Sequence, residues 1–196
     1  MSKYRIVLDY GHGGSKPGAV CEGTEEKTVN YLTGQELNRH FRTLGGDREL
    51  QVLLTRDADY DIPLSTRCAL INAHHAQEPI RLVLSVHYNA AGTPAYAGFE
   101  TYHVATSQKS AGAAEKIVAA VGQANFTLRR KPVKTTEELG RRLAILHKVR
   151  PPAVLAEVGF LTNPIDRGNA TDPQYRSEVA RAMAQGVWNY LDHEGG

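Results

Sequence analysis

Two rhythms of apolar and polar positions alternate along the chain. Short, nearly unbroken apolar runs that stop at glycine or polar residues predict strands over 4–10 (YRIVLDY), 50–56, 80–89 (IRLVLSVHYN), 98–104, 142–149 (RLAILHKV) and 152–160 (PAVLAEVGF). Between them, apolar residues recur at helical spacing over 24–45, 64–76, 110–124 and 172–193. Thr24 is the expected N-cap of the first of these helices, Gly45 its stop, and Pro173 suits the first turn of the last. The polar stretch RKPVKTTEELG, 130–140, predicts a loop. Strands alternating with helices give an α/β chain, with a twisted, mostly parallel sheet of about six strands and helices on both faces. The absence of an internal repeat or low-complexity linker predicts a single domain over 1–196.

Composition narrows the function classes. A formal charge of +2 is compatible with mild attraction to an anionic polymer and falls far short of a dedicated nucleic-acid face. Cys21 and Cys68 are the only cysteines, which excludes a disulfide framework and a four-cysteine metal cage, and predicts two free or buried thiols. The start MSKYRIVLDY has no apolar core before a small-residue cleavage site, and no apolar run reaches membrane-spanning length. The expectation is a protein made in the cytoplasm without a signal peptide, without stable membrane insertion, and released by another agent if it acts outside.

In open parallel sheets, functional groups gather just beyond the carboxyl ends of the strands. Three polar residues fall there: His12 after the strand 4–10, His87 closing LVLSVH and Glu157 closing AVLAE. Each alone is explained by a local hydrogen bond or ion pair, because burial of an unpartnered polar group is costly. Three at matching positions are better explained by a site. The helix from 24 adds a fourth candidate. At about 100° per residue, Glu26 lies roughly 20° from the centre of the stripe Val29, Leu32, Leu37, Phe41 and Leu44, whereas Glu25 lies roughly 80° away. Glu26 therefore faces the sheet near His12, although a glutamate in a first turn also favours the helix dipole.

Two histidines and one carboxylate suit a catalytic zinc ion with an open position. Such an ion acidifies water and polarises a carbonyl, and Glu157 has the chemistry to take and relay the proton. Metal-assisted amide hydrolysis is the expected reaction class. The glycine loop GHGGSKPG fits a phosphate cradle poorly, since it lacks the Lys-Ser/Thr end of a P-loop and does not complete G-x-G-x-x-G. A Cys–His nucleophile has no supporting local signature. Of the remaining histidines, His40 is expected in solvent, and His103 and His147 near strand ends.

Six blocks in order, IVLDYGHGG…PGA, EEK, LLTRDADYDIPLSTRCALINA, LVLSVHYNA, GFETY and PAVLAEVGFLTNPID, resemble the zinc-dependent N-acetylmuramoyl-L-alanine amidases of the amidase-3 type. The resemblance runs from about residue 4 to residue 191 and implies a zinc-exopeptidase-like fold. Carried over by motif, it implies metal ligands at His12, Glu26 and His87 for one zinc ion, and a catalytic glutamate at Glu157. It implies peptidoglycan as substrate, cut at the amide between N-acetylmuramic acid and L-alanine. The family usually has proline where this chain has Tyr10. The expected partner is the peptidoglycan substrate alone, with no nucleic acid, and the expected oligomeric state is a monomer. A catalytic domain with no signal and no separate wall-binding module resembles a phage or prophage endolysin that acts at the cell wall. Two other readings are a zinc exopeptidase acting on free peptides and a non-catalytic wall-binding domain. Product analysis separates the first, and the presence of all four groups weighs against the second.

Overall fold

Burial on both faces is why the first strand reads as an apolar run rather than an alternation: all seven residues of β1 (Tyr4–Tyr10) are buried. The computed structural model describes residues 4–194. After β1 come a two-residue hairpin, β2 (Val20–Cys21) and β3 (Thr24–Glu25), then α1 (Glu26–Glu49), β4 (Leu50–Leu54), α2 (Leu64–Gln77) and β5 (Leu82–Asn89). The second half holds β6 (Phe99–His103), α3 (Gln108–Gln123), β7 (Leu128–Thr135), α4 (Thr136–Leu139), α5 (Ala144–His147), β8 (Ala153–Phe160), α6 (Pro164–Thr171) and α7 (Pro173–Glu194).

The main sheet has six strands in the order β4-β1-β5-β8-β6-β7. The first four are parallel, β6 runs antiparallel to β8, and β7 follows β6 in parallel. On one face, Val29, Leu37 and Phe41 of α1, Ile117 and Val121 of α3, and Met183 and Val187 of α7 close over Leu8, Leu84 and Val154. On the other, Cys68 and Ile71 of α2 and Ile145 and Leu146 of α5 cover Val7, Val83 and Leu155. The α/β class, the mostly parallel sheet and the helices on both faces are as the sequence predicts. No helix among the described residues is long and apolar enough to cross a membrane.

Membership of the sheet differs from expectation at one strand. Residues 142–149 supply a single helical turn, α5, because an apolar run as short as Leu143–Leu146 satisfies either state and here covers the sheet from outside. The sixth strand is β7, inside the stretch predicted as a loop. It is an edge strand whose charged side chains reach solvent, and Pro132 needs no ladder partner there. The capping box of Thr135 and Glu138 then starts α4 at once. A separate helix, α6, is absent from the pattern of apolar spacing; Asn163 caps it by accepting from the Ile165 and Asp166 amides.

Ends of α1 differ as well. Thr24 sits in the hairpin instead of capping the helix, and the helix runs past Gly45 to Glu49. Both cysteines are free, Cys68 buried and Cys21 half-buried, as expected. His40 is half-buried rather than solvated, with its Nε2 at 3.3 Å from Ser177 Oγ on α7. His103 ends β6 at the opposite edge of the sheet from His87, because β6 runs the other way. His147 lies on α5, not on a strand, with its Nε2 at 3.1 Å from Thr136 Oγ1.

Tyr10, the departure from the amidase-3 pattern, is accommodated by α1. Its buried hydroxyl donates to the Gly34 carbonyl at 2.9 Å. A Cβ on Gly34 would run into the Tyr10 ring, so a glycine in the middle of a helix leaves the space that the ring fills.

Candidate metal centre

The chain leaves β1 at Tyr10 and turns sharply. His12 takes the left-handed conformation at φ 61°, uncommon for a residue with a side chain. Gly13 and Lys16 exchange two backbone hydrogen bonds of 3.0 Å that close the loop. Gly11 is required by close approach, since a Cβ there would occupy the place of the His87 imidazole. β5 presents His87 one residue past the level of Tyr10, and β8 presents Glu157 in register with His87.

The start of α1 docks on the same loop. The Glu26 amide donates to the Ala19 carbonyl and the Lys27 amide to the Pro17 carbonyl, each at 2.9 Å, which satisfies two of the unpaired donors of the first turn. Glu26 is thereby carried over the sheet edge and is buried, while Glu25 stays in β3 beside Lys27 at 3.6 Å. The Glu26 carboxylate bridges the histidines: Oε2 lies 3.1 Å from His12 Nε2 and Oε1 lies 2.8 Å from His87 Nδ1. One ligand atom from each of His12, Glu26 and His87 lies within 4.8 Å of the others. Oε2 also accepts from the Ala19 amide at 2.9 Å, and Oε1 from Asn30 Nδ2 at 3.3 Å. Burial alone raises the proton affinity of Glu26, but the bonds from His12 and His87 outweigh it and hold the carboxyl below the usual range.

Glu157 has the opposite environment. It is buried, and its Oε2 has no hydrogen-bond partner. Burial first, then the negative charges of Glu26 and Glu100, push its carboxyl well above the ordinary value, with Arg141 opposing. Glu100, its cross-strand neighbour on β6, is fully engaged. It accepts from Asn89 Nδ2 at 3.1 Å, Tyr102 Oη at 2.8 Å and Lys134 Nζ at 2.5 Å.

A cleft of about 360 Å³ opens beside the two histidines, with Ile62, Pro63, Leu64, Leu143, Ala144 and Leu155 forming its apolar wall and Lys16 and Asp61 at its polar parts. The four residues singled out from sequence thus share one edge of the sheet, three in mutual reach and the fourth alongside. Sequence reasoning missed the supporting layer. Asp9 lies beneath the loop and accepts from Thr55 Oγ1 and Ser85 Oγ, both at 2.6 Å, and from Arg67 Nη1 at 3.0 Å. Burial raises its proton affinity, and Arg67 with the two hydroxyls more than offsets this, so its pKa is lowered. The available signal was an aspartate inside a buried strand, which demands a cation or several donors.

Comparison with known proteins agrees with this architecture. Residues 6–189 match the Amidase_3 family, N-acetylmuramoyl-L-alanine amidase, and the chain belongs to that family of enzymes. It is 30% identical over 192 residues to an endolysin of Bacillus phage SPP1, covering 98% of this chain and 67% of that one. It is 29% identical over 226 residues to the N-acetylmuramoyl-L-alanine amidase AmiC of Neisseria meningitidis, covering 95% of this chain but only 52% of AmiC. Among solved structures, the amidase AmiC2 of Nostoc punctiforme superposes with a TM-score of 0.84 at 26% identity, over 97% of this chain and 98% of that one.

Proposed function

We propose that the protein hydrolyses the amide between the lactyl group of N-acetylmuramic acid and L-alanine in peptidoglycan, using one zinc ion held by His12, Glu26 and His87, with Glu157 as general base. The observation that carries this reading is the convergence of the three ligand atoms within 4.8 Å beside a buried carboxylate, Glu157, one of whose oxygens lacks a partner. The donor set fits the ion: two imidazoles and one carboxylate kept ionised by its surroundings leave room for a fourth ligand. Bound zinc supplies Lewis acidity, which polarises the scissile carbonyl and makes water nucleophilic at neutral pH.

The remaining work falls to the chain. The Glu157 carboxylate takes the proton from the attacking water. The same oxygen returns it to the departing L-alanine nitrogen, so that the C–N bond breaks to leave an amine and a lactyl acid. Its proton affinity, raised by burial and by the charges of Glu26 and Glu100, favours its acceptance of the proton from water. The apolar wall of Ile62, Pro63 and Leu143 restricts water beside the reacting bond.

The setting we propose is endolysin-like cell-wall lysis, supported by the 30% identity to the SPP1 endolysin. Purified sacculi, digested with and without chelator and followed by mass spectrometry, test the reaction. The expected products carry new N-terminal alanine and no new reducing sugar ends, and chelator abolishes them. New reducing ends, or full activity in chelator, refute the reading.

A further inference from the structure

His12 has a left-handed backbone conformation, uncommon for residues other than glycine although histidine tolerates it better than most, and two buried arginines surround the peptide groups that set it. Arg67, in the first turn of α2, donates from Nη2 to the His12 carbonyl at 2.5 Å and from Nη1 to the Tyr10 carbonyl at 2.6 Å. Its Nε donates to the Ile62 carbonyl at 3.0 Å. Arg56, just past β4, donates from Nε to the Tyr10 carbonyl at 2.9 Å and from Nη2 to the Gly11 carbonyl at 3.2 Å and the Lys27 carbonyl at 3.0 Å. The carbonyls of residues 10, 11 and 12 are therefore all held by guanidinium groups. Both arginines are shut off from solvent, Arg67 at 3% exposure and Arg56 at 1%.

We propose that Arg67 is a positioning residue for the metal centre. It pins the His12 peptide in its left-handed turn so that Nε2 faces Glu26 and His87, and it does so through the His12 backbone carbonyl, while its side chain also borders the cleft. The inference rests on the reading of His12 as a ligand. Charge pairing with Asp9 does not by itself account for Arg67. Asp9 already receives two hydroxyl donors, and only one Arg67 contact goes to it, while three go to loop carbonyls. Asp9 instead fixes the guanidinium at the correct height beneath the loop. Only a planar fork with several fixed donors reaches the carbonyls of Ile62, Tyr10 and His12 together, so lysine is not an equivalent.

Chelator competition against Zn²⁺ alone tests this. Arg67→Met and Arg67→Lys are expected to raise the zinc dissociation constant by about 10- to 100-fold, the range typical when a group that orients a ligand is removed. Arg67→Lys keeps a cation beside Asp9 and preserves folding should Arg67→Met not. In cobalt-loaded protein the same variants shift the visible absorption bands, which report ligand geometry. Ile71→Val, buried on the same helix, lowers thermal stability and leaves zinc affinity within about threefold of native. Arg67 variants that are folded by circular dichroism and bind zinc as the native protein does overturn the proposal. So does an equal loss of affinity in Ile71→Val, which would tie binding to stability alone. His12→Ala serves as the reference: if it too binds zinc normally, the assignment of the centre itself is what fails.

Discussion

Two corners of one sheet edge treat their acidic groups in opposite ways. At the first, Glu26 accepts bonds from both histidines, Asn30 and the Ala19 amide, and its carboxyl is held in the charged form. At the second, Glu157 lies in register with His87, buried, with one oxygen unpartnered and two carboxylates for neighbours. Adjacent positions on the same edge therefore hold a carboxyl kept charged and a carboxyl whose protonated form is favoured. That contrast is what a site needs when one carboxylate must hold a cation and the other must move a proton.

The largest expected effect comes from breaking the first corner. His12→Ala or His87→Ala should lose the metal, measured by atomic absorption after gel filtration, and activity on sacculi should fall to background. Next comes the second corner. Glu157→Gln should retain metal at native stoichiometry while activity drops by about 100- to 10,000-fold, the range for loss of a general base. Equal metal loss in all three variants would erase the distinction between the corners.

The metal-free protein sharpens the comparison through pH. A carboxyl whose folded pKa is raised binds more protons in the folded state than in the unfolded one, so it stabilises at low pH and loses that contribution as pH rises through the folded value. Glu26 has the reverse sign: its contribution is present above the ordinary glutamate range and is lost on acidification. In chelator-treated protein, Glu157→Gln should therefore melt above native at pH 8, and the advantage should vanish near pH 4, below the ordinary glutamate pKa of about 4.3. Melting curves at the two pH values decide it, and an advantage independent of pH would show that the raised proton affinity of Glu157 is not its source.

The smallest effect concerns the mount of the first corner. Gly34→Ala should destabilise by about 1–3 kcal/mol through overpacking against Tyr10. In a Tyr10→Ala background the same change should stabilise by up to about 1 kcal/mol, as alanine for glycine does in an open helix. Denaturant unfolding of the four proteins in the cycle measures the coupling, and additive effects would separate the ring from the glycine.

How much of this was legible in sequence follows from burial. The strands β1, β5 and β8 are buried on both faces, so they appear as apolar runs in whose C-terminal halves a polar residue stands out, and His87 and Glu157 are such residues. Glu26 was distinguishable from Glu25 because the apolar stripe of α1 fixes which neighbour faces inward. β7 was not legible, since an edge strand half in solvent carries LRRKPVKT without apolar contrast. Nor was α5, whose four-residue apolar turn has no periodicity to display. The reversal of β6 and β7 relative to the other strands depends on pairing across the sheet, which no local pattern encodes. Arg56 and Arg67 resemble ordinary charged residues in sequence, because most of what they bind is backbone, and backbone carbonyls carry no residue label.

Ala19 and Glu26 hold each other twice, the Glu26 amide on the Ala19 carbonyl and the Ala19 amide on Glu26 Oε2, both at 2.9 Å. The second bond shares its acceptor oxygen with the face turned to His12. Solvent exchange of a single amide proton, that of Ala19, is therefore a built-in gauge of how far the carboxylate is committed elsewhere. Hydrogen–deuterium exchange at that one position, followed with and without added Zn²⁺, is expected to report whether the proposed ion engages Glu26, without any substrate present.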